Sequence, residues 1–155
     1  MKETKGNLLI VDDELEIINE LKELLANQAD QIFSATDGAE ALDILDEERI
    51  DCIVSDIRMP DMDGVEFLKE LYELKKHRPF IFFTAYGSST LEESLKDYGC
   101  YAMVDKPDID DLSTIVERGL YFGRLFNDSD QFSSNDFDEF LESLEKAESL
   151  KKSVS

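Results

Sequence analysis

The chain has 155 residues, 42% of them hydrophobic, which suits one domain with a sizeable core plus a short appendage. Its 16 basic and 37 acidic residues give a formal net charge of -21. This balance argues against a nucleic-acid ligand, because phosphate contacts need clustered Lys and Arg, and it favours a cation such as Mg²⁺ or a partner with a basic surface.

Five apolar runs alternate with five helical patterns along the chain. Strands are predicted at residues 8–11, 31–35, 52–56, 80–83 and 101–104. Helices are predicted at 15–25, 39–48, 65–77, 89–98 and 108–123, with Pro79 blocking the third and Gly99 ending the fourth. This alternation predicts a doubly wound α/β fold, in which helices cover both faces of a five-stranded parallel sheet.

Polar residues follow four of these strands at their carboxyl ends. Asp12 and Asp13 follow the first strand and Asp56 the third, while Thr84 and Lys106 follow the fourth and fifth. With a strand order of 2-1-3-4-5, these ends are neighbours at the switch point, where open α/β sheets place their ligands. We therefore expect Asp12, Asp13 and Asp56 to converge.

Such a cluster has a definite chemistry. Three carboxylates in one pocket repel each other unless a cation joins them, and a few oxygen ligands with room for water and phosphate suit Mg²⁺. Asp56 is then a candidate nucleophile that forms an acyl phosphate, with Lys106 and Thr84 contributing a positive charge and a hydroxyl donor to the phosphoryl oxygens. Since no Gly-rich nucleotide loop is present, the phosphoryl group must come from a separate donor.

The motifs that carry this chemistry occur in a specific order and spacing. They are Asp12-Asp13-Glu14, Asp56-Ile57-Arg58-Met59-Pro60 with Asp63-Gly64, Thr84-Ala85 and Lys106-Pro107. Over about residues 5–123 the chain therefore resembles the flavodoxin-like receiver domain of two-component response regulators, in the single-domain form that is similar to the chemotaxis response regulator.

The resemblance implies a function and a ligand set. Asp56 would accept a phosphoryl group from a histidine kinase or histidine phosphotransfer protein, and the chain would signal to an unknown downstream protein in a phosphorelay. Mg²⁺ would be held by Asp12 or Asp13, by Asp56 and by the main-chain carbonyl of Arg58. Lys106 and Pro107 would be joined by a cis peptide bond. The protein would be a phosphoacceptor that assists its own phosphorylation and dephosphorylation, not an enzyme in the ordinary sense.

The same resemblance implies a conformational switch. Phosphorylation would draw the Thr84 hydroxyl inward and alter the surface made by helix four, strand five and helix five. The family carries Tyr or Phe three residues before the lysine, where this chain has Met103, which offers no ring for that switch. Arg58 and Tyr86 border the pocket, either restricting water or lying solvated at its rim. His77, the only histidine, is interpreted as a surface residue near a helix end.

Three alternatives remain beside this interpretation. An aspartyl-phosphate phosphatase would need a second Asp two residues after Asp56, where Arg58 stands. A receiver-fold scaffold that is never phosphorylated would lack pocket residues that this chain retains. A flavodoxin-like binding domain would need a phosphate-cradling loop after the first strand, which is absent.

Residues 124–155 are predicted to form an acidic linker and an amphipathic helical tail. Asn135 or Asp136 could cap a helix about four turns long, and its apolar stripe comprises Phe137, Phe140, Leu141, Leu144, Ala147 and Leu150. The tail is too short for a DNA-binding or enzymatic domain, so the receiver is expected to stand alone. The tail could dock on the receiver, remain disordered, bind a partner or form a homodimer. A homodimer could instead form through the surface of helix four, strand five and helix five.

Location follows from what the sequence lacks. Residues 1–5 contain no apolar core of a signal peptide, and no apolar run is long enough to span a membrane. Cys52 and Cys100 are interpreted as structural thiols in a reducing compartment. A cytoplasmic protein without a membrane partner is expected.

Overall fold

The structure, a computed structural model, describes residues 4–128. Five strands form one parallel sheet in the order β2-β1-β3-β4-β5, as the sequence predicts. The strands are β1 (Asn7–Val11), β2 (Gln31–Ala35), β3 (Cys52–Ser55), β4 (Phe80–Thr84) and β5 (Cys100–Asp105). The helices are α1 (Leu15–Leu25), α2 (Gly38–Glu47), α3 (Gly64–Glu73), α4 (Ser89–Leu95) and α5 (Ile109–Asp128), with a single 3₁₀ turn at Lys96–Tyr98.

Alternating side chains of the strands build two cores, one on each face of the sheet. In β1, Leu8 and Ile10 pack with α1 and α5, whereas Leu9 and Val11 pack with α2, α3 and α4. The same period of two runs through β3 and β4, because successive residues of a strand point to opposite faces. The three central strands, β1, β3 and β4, therefore carry apolar side chains on both faces over most of their length, as expected for a sheet covered on both sides.

Helix α3 ends at Glu73, so the prediction that it extends to about His77 is wrong. Lys75 has a left-handed φ of 57°, and the N–H groups of Lys75 and Lys76 donate to the carbonyls of Tyr72 and Leu71. This closing pattern commonly has glycine at the left-handed position, and a lysine there gives the sequence pattern no stop signal. His77 lies beyond the helix, with its ring edge-on to Tyr72 at 5.5 Å between ring centres.

Helix α5 continues to Asp128, beyond the end predicted near Gly123, and so takes up the first residues of the predicted linker. Gly123 is buried against the main chain of Asp51, where a Cβ would overlap the Asp51 carbonyl oxygen. Its role is close packing, not helix termination. Asn127 donates from Nδ2 to Asp51 Oδ1 at 2.9 Å and to the Ile50 carbonyl at 3.1 Å, which holds the last turn against the sheet.

The remaining boundaries differ from prediction by a few residues. Asp56 lies just after β3, β5 begins at Cys100, and the fourth helix tightens into its 3₁₀ turn before Gly99 ends it at a φ of 97°. Cys52 and Cys100 are both buried and free. Across residues 4–128, none of the helices is both long enough and apolar enough to cross a membrane. The predicted tail cap and apolar stripe lie outside the described residues.

Candidate functional site

The acidic cluster forms where β1 and β3 end side by side. Val11 is paired with Ser55 in the sheet, and the Asp56 N–H donates to the Val11 carbonyl at 2.9 Å. Asp12 and Asp56 therefore leave adjacent strands at the same level. Carboxylate oxygens of Asp12, Asp13 and Asp56 all lie within 4.8 Å of one another. The predicted convergence of these side chains is present.

The three carboxylates differ in their surroundings. Asp12 and Asp56 are buried, with 2% and 6% of their surface exposed, whereas Asp13 faces solvent. Asp12 Oδ1 accepts the Glu14 N–H at 2.9 Å, and Asp56 Oδ1 accepts the Ile57 N–H at 2.7 Å. Each buried carboxylate is thus oriented by the main chain that follows it.

Lys106 joins the two buried carboxylates. Its Nζ lies 3.0 Å from Asp12 Oδ2 and 2.9 Å from Asp56 Oδ2. Burial alone would lower the pKa of Lys106, but the hydrogen bonds to Asp56 and Asp12 outweigh it and raise that pKa. Burial raises the pKa of Asp12, although the Glu14 N–H and the Lys106 ammonium both act to lower that pKa. The Lys106–Pro107 bond is cis, as the resemblance implied.

The charges of this site suit a divalent cation. Three carboxylates (-3) and one ammonium (+1) leave a formal charge of -2 within the cluster. Carboxylate oxygens are the donors that Mg²⁺ prefers, and the exposed Asp13 leaves one side open for water ligands. The residues therefore fit Mg²⁺. Arg58 lies in the loop after β3, and the assignment of its carbonyl as a ligand stays a prediction.

Thr84 is fully buried at the end of β4, next to the strand that leads to Lys106. Its Oγ1 accepts the Tyr86 N–H at 3.1 Å, which leaves the hydroxyl hydrogen for donation elsewhere. The half-buried Met103 side chain lies against Gly87, where a Cβ would be 2.8 Å from Met103 Sδ and 3.3 Å from Thr84 Cγ2. Met103 thus packs on the loop that follows Thr84. Its part in a switch stays a prediction.

Arg58 and Tyr86 are stacked on each other, which sequence reasoning missed. The Arg58 guanidinium carbon lies 3.8 Å from the centre of the Tyr86 ring, within the range of a cation–π contact. The pair links the loops after β3 and β4, two residues beyond Asp56 and Thr84 respectively. The sequence signal that could have indicated this contact is that both residues lie at the same distance along the chain from the ends of neighbouring strands.

Gly64 packs against the main chain of Asp56, a contact that sequence reasoning also missed. A Cβ on Gly64 would overlap the Asp56 carbonyl oxygen, and the Gly64 N–H donates to the Ile57 carbonyl at 2.7 Å. The Ser55 hydroxyl donates to the same Asp56 carbonyl at 2.8 Å. The main chain of the candidate phosphoacceptor is therefore held by close contacts that leave no space for a side chain at position 64.

Known proteins are similar to this chain in sequence. A family model described as the response regulator receiver domain matches residues 8–117. Over 114 residues the chain is 36% identical to sporulation initiation phosphotransferase F of Bacillus subtilis (strain 168), covering 73% of this chain and 92% of that protein. It is 38% identical over 117 residues to regulatory protein AtoC of Escherichia coli (strain K12), covering 74% of this chain but 25% of that protein. The chain thus spans about a quarter of that regulator's length.

Solved structures agree with these sequence relatives. A response regulator receiver domain protein from Clostridium thermocellum superposes with a TM-score of 0.69 at 26% identity, covering 77% of this chain and 98% of that one. The chemotaxis protein CheY4 of Vibrio cholerae gives a TM-score of 0.68 at 28% identity, covering 75% and 99%. The chain belongs to the family of response regulator receiver domains.

Proposed function

We propose that this receiver domain takes up a phosphoryl group on Asp56 with the help of Mg²⁺, receives it from a histidine kinase or histidine phosphotransfer protein, and passes the signal on through protein contacts. The observation that carries the proposal is the Lys106 ammonium between two buried carboxylates that lie beside a third. This arrangement combines a nucleophile, an electropositive group and a set of oxygen ligands in one pocket.

The transfer can be written from the residues of the pocket. An Asp56 carboxylate oxygen forms a bond to phosphorus as the bond from phosphorus to the donor breaks, and the donor leaves with that electron pair. Lys106 is hydrogen-bonded to Asp56 and is therefore within reach of the oxygens of a phosphoryl group on Asp56. The Thr84 hydroxyl is available to donate a hydrogen bond to the same oxygens. Mg²⁺, when bound, neutralises negative charge on the phosphoryl group. The Ile57 N–H keeps the carboxylate oriented.

The relay partner is proposed from a sequence relative. The Bacillus protein to which this chain is 36% identical is named a sporulation initiation phosphotransferase, and that name supports phosphotransfer between proteins. Arg58 argues against the phosphatase alternative, because its exposed side chain is stacked on Tyr86 where a second catalytic carboxylate would be needed. The retained acidic and lysine residues argue against an unphosphorylated scaffold.

Removal of the divalent cation is expected to prevent phosphorylation. Incubation with acetyl phosphate and Mg²⁺ should add one phosphoryl group, which intact mass and peptide mapping locate to the peptide containing Asp56. A chelator in excess should abolish uptake, because the cluster then keeps its formal charge of -2 against an anionic donor. Uptake that survives the chelator, or a phosphoryl group on a peptide without Asp56, would contradict the proposal.

Loss of the Arg58–Tyr86 stack is expected to shorten the life of the phosphoaspartate. The stacked pair bridges the two loops that flank Asp56, so Tyr86→Ala opens that side to attacking water. We expect hydrolysis about 3-fold to 10-fold faster, which corresponds to about 0.7–1.4 kcal/mol of lost protection. The decay of the phosphorylated mass measures it.

A suitable control is Tyr121→Ala, because Tyr121 is as exposed as Tyr86 (52% against 54%) but lies on α5. This variant should decay at the rate of the unmodified protein. An unchanged lifetime in Tyr86→Ala would show that the stack is a solvated rim contact without influence on hydrolysis.

A further inference from the structure

Ser55 places a hydroxyl at the end of the otherwise apolar central strand β3. Its side chain is fully buried, and it is paired in the sheet with Val11 of β1 and Phe82 of β4. Both partners belong to the apolar core on the face covered by α2, α3 and α4. An apolar side chain at position 55 would extend that core, whereas a buried hydroxyl costs free energy unless it is hydrogen-bonded.

The hydrogen-bond partner of this hydroxyl is the main chain of the candidate phosphoacceptor. Ser55 Oγ donates to the Asp56 carbonyl oxygen at 2.8 Å. Gly64 packs against the same oxygen, which a Cβ at position 64 would overlap. Since Asp56 is buried, loss of the Ser55 donor would leave a buried carbonyl without that bond, and the carbonyl would be free to change direction.

The direction of the Asp56 carbonyl also sets the direction of the Ile57 N–H. The two groups belong to one peptide unit, which is planar, so holding one end of the plane holds the other. The Ile57 N–H donates to Asp56 Oδ1 at 2.7 Å. Donation by Ser55 to the carbonyl also polarises the peptide unit and strengthens its N–H as a donor. Ser55 therefore acts on the Asp56 carboxylate through one rigid group.

Two donors together define the plane of this carboxylate. Oδ1 accepts the Ile57 N–H, and Oδ2 accepts from Lys106 Nζ at 2.9 Å. Without the first bond the carboxylate is free to rotate while it still contacts Lys106. Such a loss of orientation matters in a group transfer, because a displacement of about 1 Å can slow a reaction on the order of 100-fold.

We propose that Ser55 is a positioning residue for phosphoryl transfer to Asp56, an inference that rests on the proposed function. Its hydroxyl holds the Asp56–Ile57 peptide unit so that the Ile57 N–H keeps the carboxylate directed at the incoming phosphorus. No bond or proton of Ser55 is exchanged in the transfer. Because Ser55 is fully buried, it sets the maximal rate of uptake and not the binding of the donor.

Ser55→Ala in the full chain tests this role, because alanine removes only the hydroxyl. With saturating Mg²⁺ and increasing acetyl phosphate, we expect the maximal rate of phosphoryl uptake, measured by intact mass, to fall about tenfold. The acetyl phosphate concentration at half the maximal rate should not change. Ser113→Ala is the matched control, since it removes a hydroxyl on α5 that accepts from Gln28 Nε2. This control should keep both kinetic values of the unmodified protein.

The amide proton resonance of Ile57 gives a second measurement, which needs no phosphoryl donor. A short hydrogen bond to a carboxylate moves such a resonance downfield, so Ser55→Ala should shift it upfield and Ser113→Ala should leave it in place. An unchanged maximal rate in Ser55→Ala, a change confined to the half-saturating concentration, or an unmoved Ile57 resonance would overturn the inference alone. Absence of uptake by the unmodified protein would instead overturn the proposed function, and the positioning role with it.

Discussion

Asp56→Asn is expected to abolish phosphoryl uptake from acetyl phosphate and Mg²⁺ while the domain stays folded. The amide nitrogen and oxygen of asparagine are far weaker nucleophiles than a carboxylate, and no acyl phosphate can form on them. The fold tolerates the change, because the amide oxygen can still accept the Ile57 N–H and because one charge leaves a crowded acidic cluster. We expect uptake to fall by more than about 100-fold, measured by intact mass.

Asp61→Asn provides the matched control for this loss. Asp61 lies in the same loop and is exposed, but it is not part of the acidic cluster. Its φ of 66° is a left-handed conformation that asparagine also adopts readily, so the backbone should not change. This variant should take up one phosphoryl group as the unmodified protein does. Uptake by Asp56→Asn at a comparable rate would identify a different acceptor.

Gly64→Ala is expected to lower the free energy of unfolding by at least about 3 kcal/mol and to impair phosphorylation. Its Cβ would overlap the Asp56 carbonyl oxygen, and backbone atoms cannot move away as the end of a side chain can. Relief therefore requires a shift of the main chain that carries Asp56, the proposed phosphoacceptor. Thermal unfolding should show a Tm lower by roughly 10 °C, and the remaining folded protein should be phosphorylated more slowly.

Gly38→Ala is the matched control for the overlap between a Cβ at position 64 and the Asp56 carbonyl oxygen. Both glycines begin a helix, and each follows an aspartate whose side chain caps it by accepting an N–H three residues on: Asp37 from Glu40 and Asp63 from Glu66. At Gly38 the added Cβ would meet Met62 Sδ at 2.8 Å, which is a flexible side chain that can move. We expect a change within about 1 kcal/mol. Equal destabilisation by both substitutions would show that the Asp56 contact is not decisive.

Much of the site could be predicted because it depends on order along the chain. The apolar runs predict the strands, and polar residues follow four of them: Asp12, Asp56, Thr84 and Lys106. A parallel sheet aligns the carboxyl ends of its strands at one edge, so these residues are expected there. What could not be predicted is the contact between Lys106 and both buried carboxylates, since sequence gives proximity but no side-chain distances. The Arg58–Tyr86 stack escaped for the same reason.

The ends of α3 and α5 show more clearly what a sequence pattern cannot predict. The sequence pattern around Lys75 contains no glycine, yet the hydrogen bonds of Lys75 and Lys76 end α3 there. Conversely, Gly123 resembles a stop signal but allows α5 to approach Asp51, and Asn127 then extends the helix by binding that residue. In both places the outcome depends on local hydrogen bonding or on a distant contact that outweighs residue propensity.

The sequence by itself determined the order of strands and helices, the doubly wound fold and the family, because these rest on hydrophobic periodicity and on motifs read along the chain. The tertiary structure alone decided where α3 and α5 end, how Lys106 bridges Asp12 and Asp56, and why position 64 must be glycine. Those features depend on atoms brought within a few ångströms by folding, and such close packing has no counterpart in a linear pattern of residues.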